Sequence, residues 1–152
     1  MRRWGSAAVA LDGLTAPRQL VWPMRLEDVY SREERLRSAA GRTLQHWAGR
    51  LAAKYAVLSL LGLPATALHL GRVEVLPQPS AMCARTTACT HGHPPCVRLL
   101  DGLPKDPDTA DTLGGGRIGV SISHTADLAF AVALVSARLP EDDVVEAVGG
   151  WN

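Results

Sequence analysis

Arg50 and Lys54 lie four residues apart in the apolar segment WAGRLAAKYAVLSLLG, which spans residues 47–62. On an α-helix, residues four apart lie on the same side, so the two cationic side chains would be neighbours. Neighbouring cations repel unless an anion binds between them, and the pair therefore indicates a phosphate or carboxylate ligand. The alternative is that Lys54 extends along the edge of the apolar face and keeps its charge in water.

A second polar cluster lies in the segment VSISHT, residues 120–125, at the end of a predicted strand. Its hydroxyl groups and imidazole, together with backbone N–H groups, could bind a phosphate. The alternative is a hairpin turn made of ordinary turn residues. The side chains concerned are Ser121, Ser123, His124 and Thr125.

A third cluster lies in CARTTACTHGHPPC, which contains five residues of the types that bind zinc. These residues are Cys83, Cys89, His91, His93 and Cys96. No Cys-x-x-Cys spacing occurs, which argues against a structural zinc site. The alternative to a zinc site is a flexible insertion.

A long helix must carry Arg50 and Lys54. Apolar residues recur at steps of three and four over Leu44–Leu61, which predicts one helical face, and Gly62 and Pro64 predict its end. Upstream, Ser31 and Glu34 have the spacing of a capping box and predict another helix start. Gly41 is predicted to break the chain between the two helices.

Short alternating or apolar segments predict strands, and the last two of them predict a hairpin. Helices followed by strands without βαβ alternation predict an α+β fold, in which a long central helix packs on an antiparallel sheet. The predicted strands are Ala7–Leu11, Arg72–Leu76, Cys96–Leu100, Arg117–Ser123 and Leu128–Val135, and the predicted loops are Thr15–Pro23, Pro77–Pro95 and Asp101–Gly116.

The length of 152 residues predicts one domain, residues 1–152, with a solvated tail from about Pro140. A net charge of +1 gives no general attraction to nucleic acid or membrane surfaces. Asp12 interrupts the apolar run of the N-terminus too early for a secretory signal, and no segment is long enough to span a membrane. Three cysteines do not suggest a disulfide framework, so a cytoplasmic location is expected.

Taken together, AGRLAAKYAVLSLLG, RVEVL, PPCVRLL and VSISHT resemble the holo-acyl-carrier-protein synthase group of the 4′-phosphopantetheinyl transferases. The order and approximate spacing match from about Asp12 to Val135, and YSREE, residues 30–34, lies where that group has a helix start. The resemblance implies transfer of 4′-phosphopantetheine from coenzyme A to a serine of an acyl carrier protein, with Mg²⁺, by a homotrimer.

The resemblance also implies roles for individual residues. Asp12 matches a Mg²⁺ ligand after the first strand, and Lys54 matches a lysine near the transferred phosphate. The positions that match contacts to the nucleotide phosphates are Arg50, Ser123, His124 and Thr125.

Two positions depart from the family pattern. Where the pattern has Lys-Glu-Ala, with the glutamate as second metal ligand, this chain has Lys54, Tyr55 and Ala56, and a further lysine is replaced by Ser59. A neutral phenol is a poor ligand for a hard cation, which prefers carboxylate oxygen.

Three functions follow. The first is phosphopantetheinyl transfer in which Asp12 and the pyrophosphate of coenzyme A hold Mg²⁺, helped by water or by a nearby acid such as Glu27 or Asp28. The second is metal-independent acid–base chemistry, such as cyclisation, dehydration or isomerisation, on a carrier-bound acyl chain in polyketide-type biosynthesis; its candidate groups are Tyr55, Lys54, His124 and Asp12. The third is a scaffold that binds a carrier protein without catalysis. A scaffold does not need Asp12, Lys54 and His124 to converge on one pocket.

Overall fold

The computed structural model describes residues 3–40, 43–77, 95–101, 103 and 117–136. Within these residues the strands form one antiparallel sheet in the order β1-β5-β4-β3-β2. This arrangement confirms the predicted α+β fold. The elements are β1 (Trp4–Ala10), α1 (Pro17–Val21), α2 (Leu26–Val29), α3 (Arg32–Ala39), α4 (Leu44–Leu61), α5 (Ala67–Gly71), β2 (Val73–Pro77), β3 (Pro95–Leu99), β4 (Arg117–His124) and β5 (Leu128–Ser136).

Helix α4 is the long central helix that the sequence predicted, and it has the predicted bounds. It ends at Gly62, whose φ of 70° is left-handed, and the N–H of Leu63 donates to the carbonyl of Leu58. One side of α4 lies directly on the sheet. A Cβ on Gly5 of β1 would lie 2.3 Å from the carbonyl oxygen of Ala56, and one on Gly49 would lie 2.8 Å from the Ile122 side chain. Glycine at these two positions allows the close approach.

The strand register divides the sheet into two faces. Because side chains alternate along a strand, His124 of β4 lies on the same face as Ile122, which contacts α4. His124 pairs with the buried Ala129 of β5, which pairs in turn with the buried Val9 of β1. The core therefore lies on the α4 side of the sheet, and His124 lies at one end of this face.

Three short helices were not predicted, and one of them corrects a predicted loop. Helix α1 lies inside Thr15–Pro23, where Pro17 occupies the first turn and the Gln19 side-chain oxygen accepts from the N–H of Thr15 at 2.7 Å and of Ala16 at 3.0 Å. Helices α1, α2 and α5 have only four or five residues each, too few for an apolar period to appear.

Several predictions concern residues outside the described ranges. Gly41, residues 78–94 and 104–116 of the predicted loops, and the tail from Pro140 belong to this group. The two ends of the predicted loop Pro77–Pro95 are described, and both are strand residues that pair with each other. Among the described helices, none has both the length and the hydropathy of a membrane span.

Candidate active site

The Lys54 ammonium is enclosed by protein acceptors. The side chain has no exposed surface, and Nζ donates to the Glu34 carboxylate at 2.7 Å. Three backbone carbonyls, from Val29 at 2.8 Å, Leu70 at 3.0 Å and Val73 at 2.5 Å, accept as well. An ammonium has three N–H donors, so these four acceptors use all of them. Lys54 thereby joins α4 to the ends of α2 and α5 and to β2.

Glu34 is the anion between the two cations of α4. Its Oε1 accepts from Lys54 and, at 2.8 Å, from the N–H of Ser31, while its Oε2 accepts from the N–H of Val75 at 3.1 Å and lies 4.0 Å from Nε of Arg50. The capping box is confirmed, since the Ser31 hydroxyl accepts from the N–H of Glu34 at 3.2 Å. The carboxylate therefore caps the start of α3 and also balances the positive charges of Lys54 and Arg50 on α4.

Arg50 belongs to the same network. Its Nε donates to the carbonyl of Val75 at 2.7 Å, and its guanidinium also donates to the Ser38 hydroxyl and to the carbonyl of Glu34. Its side chain is 13% exposed. These contacts hold β2 and α3 against α4, so the structure gives Arg50 a packing role.

This geometry revises the expected role of Lys54. Burial lowers the pKa of its ammonium, and the Glu34 carboxylate acts in the opposite direction. With no exposed surface and every donor engaged, the ammonium does not face a ligand. The cation pair did require an anion, as its spacing predicted, but that anion is Glu34 of the protein itself.

Tyr55 lies on a different side of α4 from Lys54. Successive helix residues point about 100° apart. Lys54 points toward α2, α5 and β2, and Ala56 lies over β1. Tyr55 lies between these directions and is half-buried. Burial raises the pKa of its phenol above the ordinary value, so the phenol is neutral at pH 7.

Asp12 and His124 lie at the same end of the molecule. Asp12 follows Leu11, whose N–H donates to the carbonyl of Asp127 in the β4–β5 turn at 2.8 Å. The same turn contains Thr125, whose carbonyl accepts from the Gln45 side chain in the first turn of α4 at 3.3 Å. The end of β1, the turn and the start of α4 therefore meet. Asp12 is exposed, and no described residue pairs with its carboxylate.

The other hydroxyl residues of the VSISHT segment are oriented differently. Ser123 lies on the sheet face opposite His124, because neighbouring strand residues alternate. The Thr125 hydroxyl accepts from the N–H of Asp127 and of Leu128, both at 3.2 Å, and so closes the turn. The turn interpretation therefore holds for the Thr125 hydroxyl, and of these residues His124 alone is placed on the α4 side.

His46 is a residue of this region that the sequence analysis missed. Its ring centre lies 5.9 Å from that of His124, and its Nδ1 lies 3.0 Å from the Thr43 hydroxyl. No motif marked His46, because its neighbour His124 is far away along the chain. The sequence feature that could have identified His46 is its position as a polar residue in the first turn of a helix whose later turns are buried.

Solved structures resemble the chain over nearly its whole length. The coenzyme A complex of holo-[acyl-carrier-protein] synthase from Helicobacter pylori is 20% identical with a TM-score of 0.60, and the match covers 88% of this chain and 99% of that one. The chain has the holo-acyl-carrier-protein synthase fold. Two further synthases have the same fold. The Mycobacterium tuberculosis acyl carrier protein synthase is 25% identical with a TM-score of 0.54, over 88% of this chain and 96% of that one. The ACPS–CoA complex from Chronobacterium ammoniagenes is 24% identical with a TM-score of 0.59, over 90% and 98%. No family model and no curated protein matches the chain.

The donor set allows Mg²⁺ only with help from a substrate. Mg²⁺ is commonly held by one or two carboxylates together with substrate phosphates. Asp12 offers one exposed carboxylate, whereas Tyr55 offers a neutral phenol. Glu27 and Asp28 lie on α2, where both pair with Arg25. In the described part of the chain, no three His, Cys, Asp or Glu side chains form a metal-binding group. The residues therefore fit a Mg²⁺ held by Asp12 and phosphate oxygens.

The cysteine and histidine cluster stays untested. Cys83, Cys89, His91 and His93 lie outside the described residues. Cys96 is exposed on β3, where it pairs with Leu76 and Gly119.

Proposed function

We propose that the protein transfers 4′-phosphopantetheine from coenzyme A to a serine of an acyl carrier protein. The observation that carries this proposal is the likeness of nearly the whole chain to holo-acyl-carrier-protein synthases, two of them described as coenzyme A complexes. Asp12 and His124 support it because both are exposed at the end where β1, the β4–β5 turn and α4 meet. We expect the reaction to take place in the cytoplasm.

The chemistry is an attack of the serine oxygen on the β-phosphorus of coenzyme A. The new oxygen–phosphorus bond replaces the bond to the leaving nucleotide phosphate, and the serine proton passes to a base. Asp12 would hold Mg²⁺, which supplies positive charge to the pyrophosphate. The His124 imidazole would donate a hydrogen bond to a phosphate oxygen. The reaction would depend only indirectly on Lys54, Glu34 and Arg50. Their network holds α4 against α3 and β2, and α4 in turn helps to form the site.

Coenzyme A binding tests the ligand part of this proposal. Wild-type protein is expected to bind coenzyme A in titration calorimetry, and His124→Ala to weaken binding about tenfold or more, because a hydrogen bond to a charged group contributes about 1.5–3 kcal/mol. His69→Ala is the matched control, since His69 lies on α5 and contacts the carbonyl of Pro64. Absence of binding by the wild type, or equal weakening by both variants, would count against the proposal.

The outer face of the sheet supports the expected homotrimer. Opposite α4, this face exposes four large apolar side chains on the neighbouring strands β1 and β5, and exposed apolar surface of this kind marks an interaction site. The predicted measurement is a trimer mass in light scattering after gel filtration, lowered to a monomer mass by Phe130→Glu. A monomeric wild type at micromolar concentration would contradict it. The four side chains are Trp4, Leu128, Phe130 and Leu134.

Tyr55 favours a second candidate function. A half-buried phenol carries a proton that it could donate to a reacting group, which suits acid–base chemistry on a carrier-bound acyl chain. Cyclisation, dehydration or isomerisation in polyketide-type biosynthesis would use this group, with Asp12 or His124 as its partner. Such a protein would change the acyl chain of a loaded carrier, and Tyr55→Phe would stop the change.

A further inference from the structure

The Gln45 side chain connects the start of α4 to the β4–β5 turn. Its Nε2 donates to the carbonyl of Thr125 at 3.3 Å, across 80 positions of the chain. A backbone carbonyl only accepts, so the amide nitrogen of Gln45, and not its oxygen, must face it. The amide oxygen accepts from the Thr43 hydroxyl, directly before the helix, at 3.2 Å. Both ends of the amide are therefore bonded, which holds the side chain between the helix start and the turn.

The β4–β5 turn is closed by hydrogen bonds of its own. The N–H of Thr125 donates to the carbonyl of Leu128 at 2.8 Å, and the Thr125 hydroxyl accepts from the N–H of Asp127 and of Leu128. Two carbonyls of the turn reach other elements: that of Asp127 accepts from the N–H of Leu11, and that of Thr125 accepts from Gln45. The local bonds fix the shape of the turn, whereas its position depends on its bonds to the end of β1 and to α4.

Gln45 lies over the end of β4 that carries His124. Gly49, one helical turn after Gln45 and on the same side of α4, lies against β4, where a Cβ on it would be 2.8 Å from the Ile122 side chain. His124 comes two residues after Ile122 and so projects from the same face of the strand. The bond from Gln45 goes to Thr125, the residue directly after His124. Gln45 therefore holds the backbone that sets the place of the His124 imidazole.

We propose that Gln45 is a positioning residue, which holds His124 in place for its contact with a phosphate of coenzyme A. This inference rests on the proposed transfer reaction, in which the His124 imidazole donates to a phosphate oxygen. The same turn is bonded to Leu11, the residue before Asp12. Gln45 thus also sets the spacing between the imidazole and the Asp12 carboxylate. A contact group that is already in place binds more tightly, because less ordering is needed when the ligand arrives.

The experiment is a double-mutant cycle, read as coenzyme A affinity in titration calorimetry. Methionine has the length of glutamine but cannot donate to the carbonyl of Thr125. Gln45→Met is expected to weaken coenzyme A binding about three- to tenfold, the usual effect of losing one hydrogen bond. In the His124→Ala background the same change is expected to alter affinity by less than about twofold, because the group that Gln45 positions is gone. Unchanged affinity in Gln45→Met, or an equal loss in both backgrounds, overturns the positioning role.

A second measurement follows the turn without any ligand. Order parameters from ¹⁵N relaxation are expected to be about 0.85 for Thr125 and Asp127 in the wild type, and to be lower in Gln45→Met. Those of β5 should be the same in both proteins, which shows that the variant is folded. Equal order parameters for the turn in both proteins overturn the inference alone. A wild type that does not bind coenzyme A overturns the proposed function and the role of Gln45 with it.

Discussion

Replacing Lys54 with methionine is expected to lower the free energy of unfolding by about 3–5 kcal/mol, the usual effect of removing one partner of a buried ion pair. Methionine keeps most of the side-chain volume, so the decrease in the free energy of unfolding measures the loss of the charge and not the creation of a cavity. The Glu34 carboxylate, with no exposed surface, would lose its 2.7 Å partner, and Arg50 lies 4.0 Å from its other oxygen. Three carbonyls would also lose their common donor.

Urea unfolding followed by circular dichroism measures this effect. A second change, Glu34→Gln in the Lys54→Met background, is expected to recover part of the loss because it removes the uncompensated charge. Arg25→Ala is the matched control, since Arg25 forms an exposed pair with Glu27 and its removal should leave stability unchanged. If Lys54 contacted a transferred phosphate instead, Lys54→Met would keep wild-type stability and lose only turnover.

Asp12→Asn is expected to slow transfer to a carrier protein by about 10²–10³-fold. The substitution keeps shape but removes the exposed carboxylate that would hold Mg²⁺ against the pyrophosphate, and losing one such electrostatic group has an effect of about that size. Rates would be measured by mass spectrometry of the carrier protein under saturating coenzyme A.

Asp127→Asn is the matched control for this prediction. Asp127 is also an exposed aspartate at the same end of the fold, but its described contacts run through the backbone, which bonds to Leu11 and Thr125. It should transfer at the wild-type rate. Equal losses in both variants would point to a general charge effect, and a fully active Asp12→Asn would remove Asp12 from the site.

The sequence predicted the elements whose patterns are long. Helix α4 has the predicted bounds because eighteen residues carry a clear apolar period and Gly62 ends it. The β4–β5 hairpin was equally clear. Helices α1, α2 and α5 escaped prediction because one turn of helix has no period, and α1 forms through the local bonds of Gln19.

The site was harder to predict because its contacts join residues far apart in the sequence. The repulsion between Arg50 and Lys54 could be read from their spacing, but the identity of the anion could not. Glu34 already had a local explanation as a capping residue, and only the fold places its carboxylate between α3 and α4. His46 and His124 meet in the same way, through the packing of α4 on β4.

The most direct test of the transferase proposal is the intact mass of an apo acyl carrier protein after incubation with this protein, coenzyme A and Mg²⁺. The proposal predicts a gain of one phosphopantetheine from the wild type and a much slower gain from Asp12→Asn. No gain from a folded wild type that binds coenzyme A would contradict it. In that case, a mass gain from the double variant Tyr55→Glu with Ser59→Lys would show that the fold can support phosphopantetheine transfer and that the wild-type chain has lost this activity.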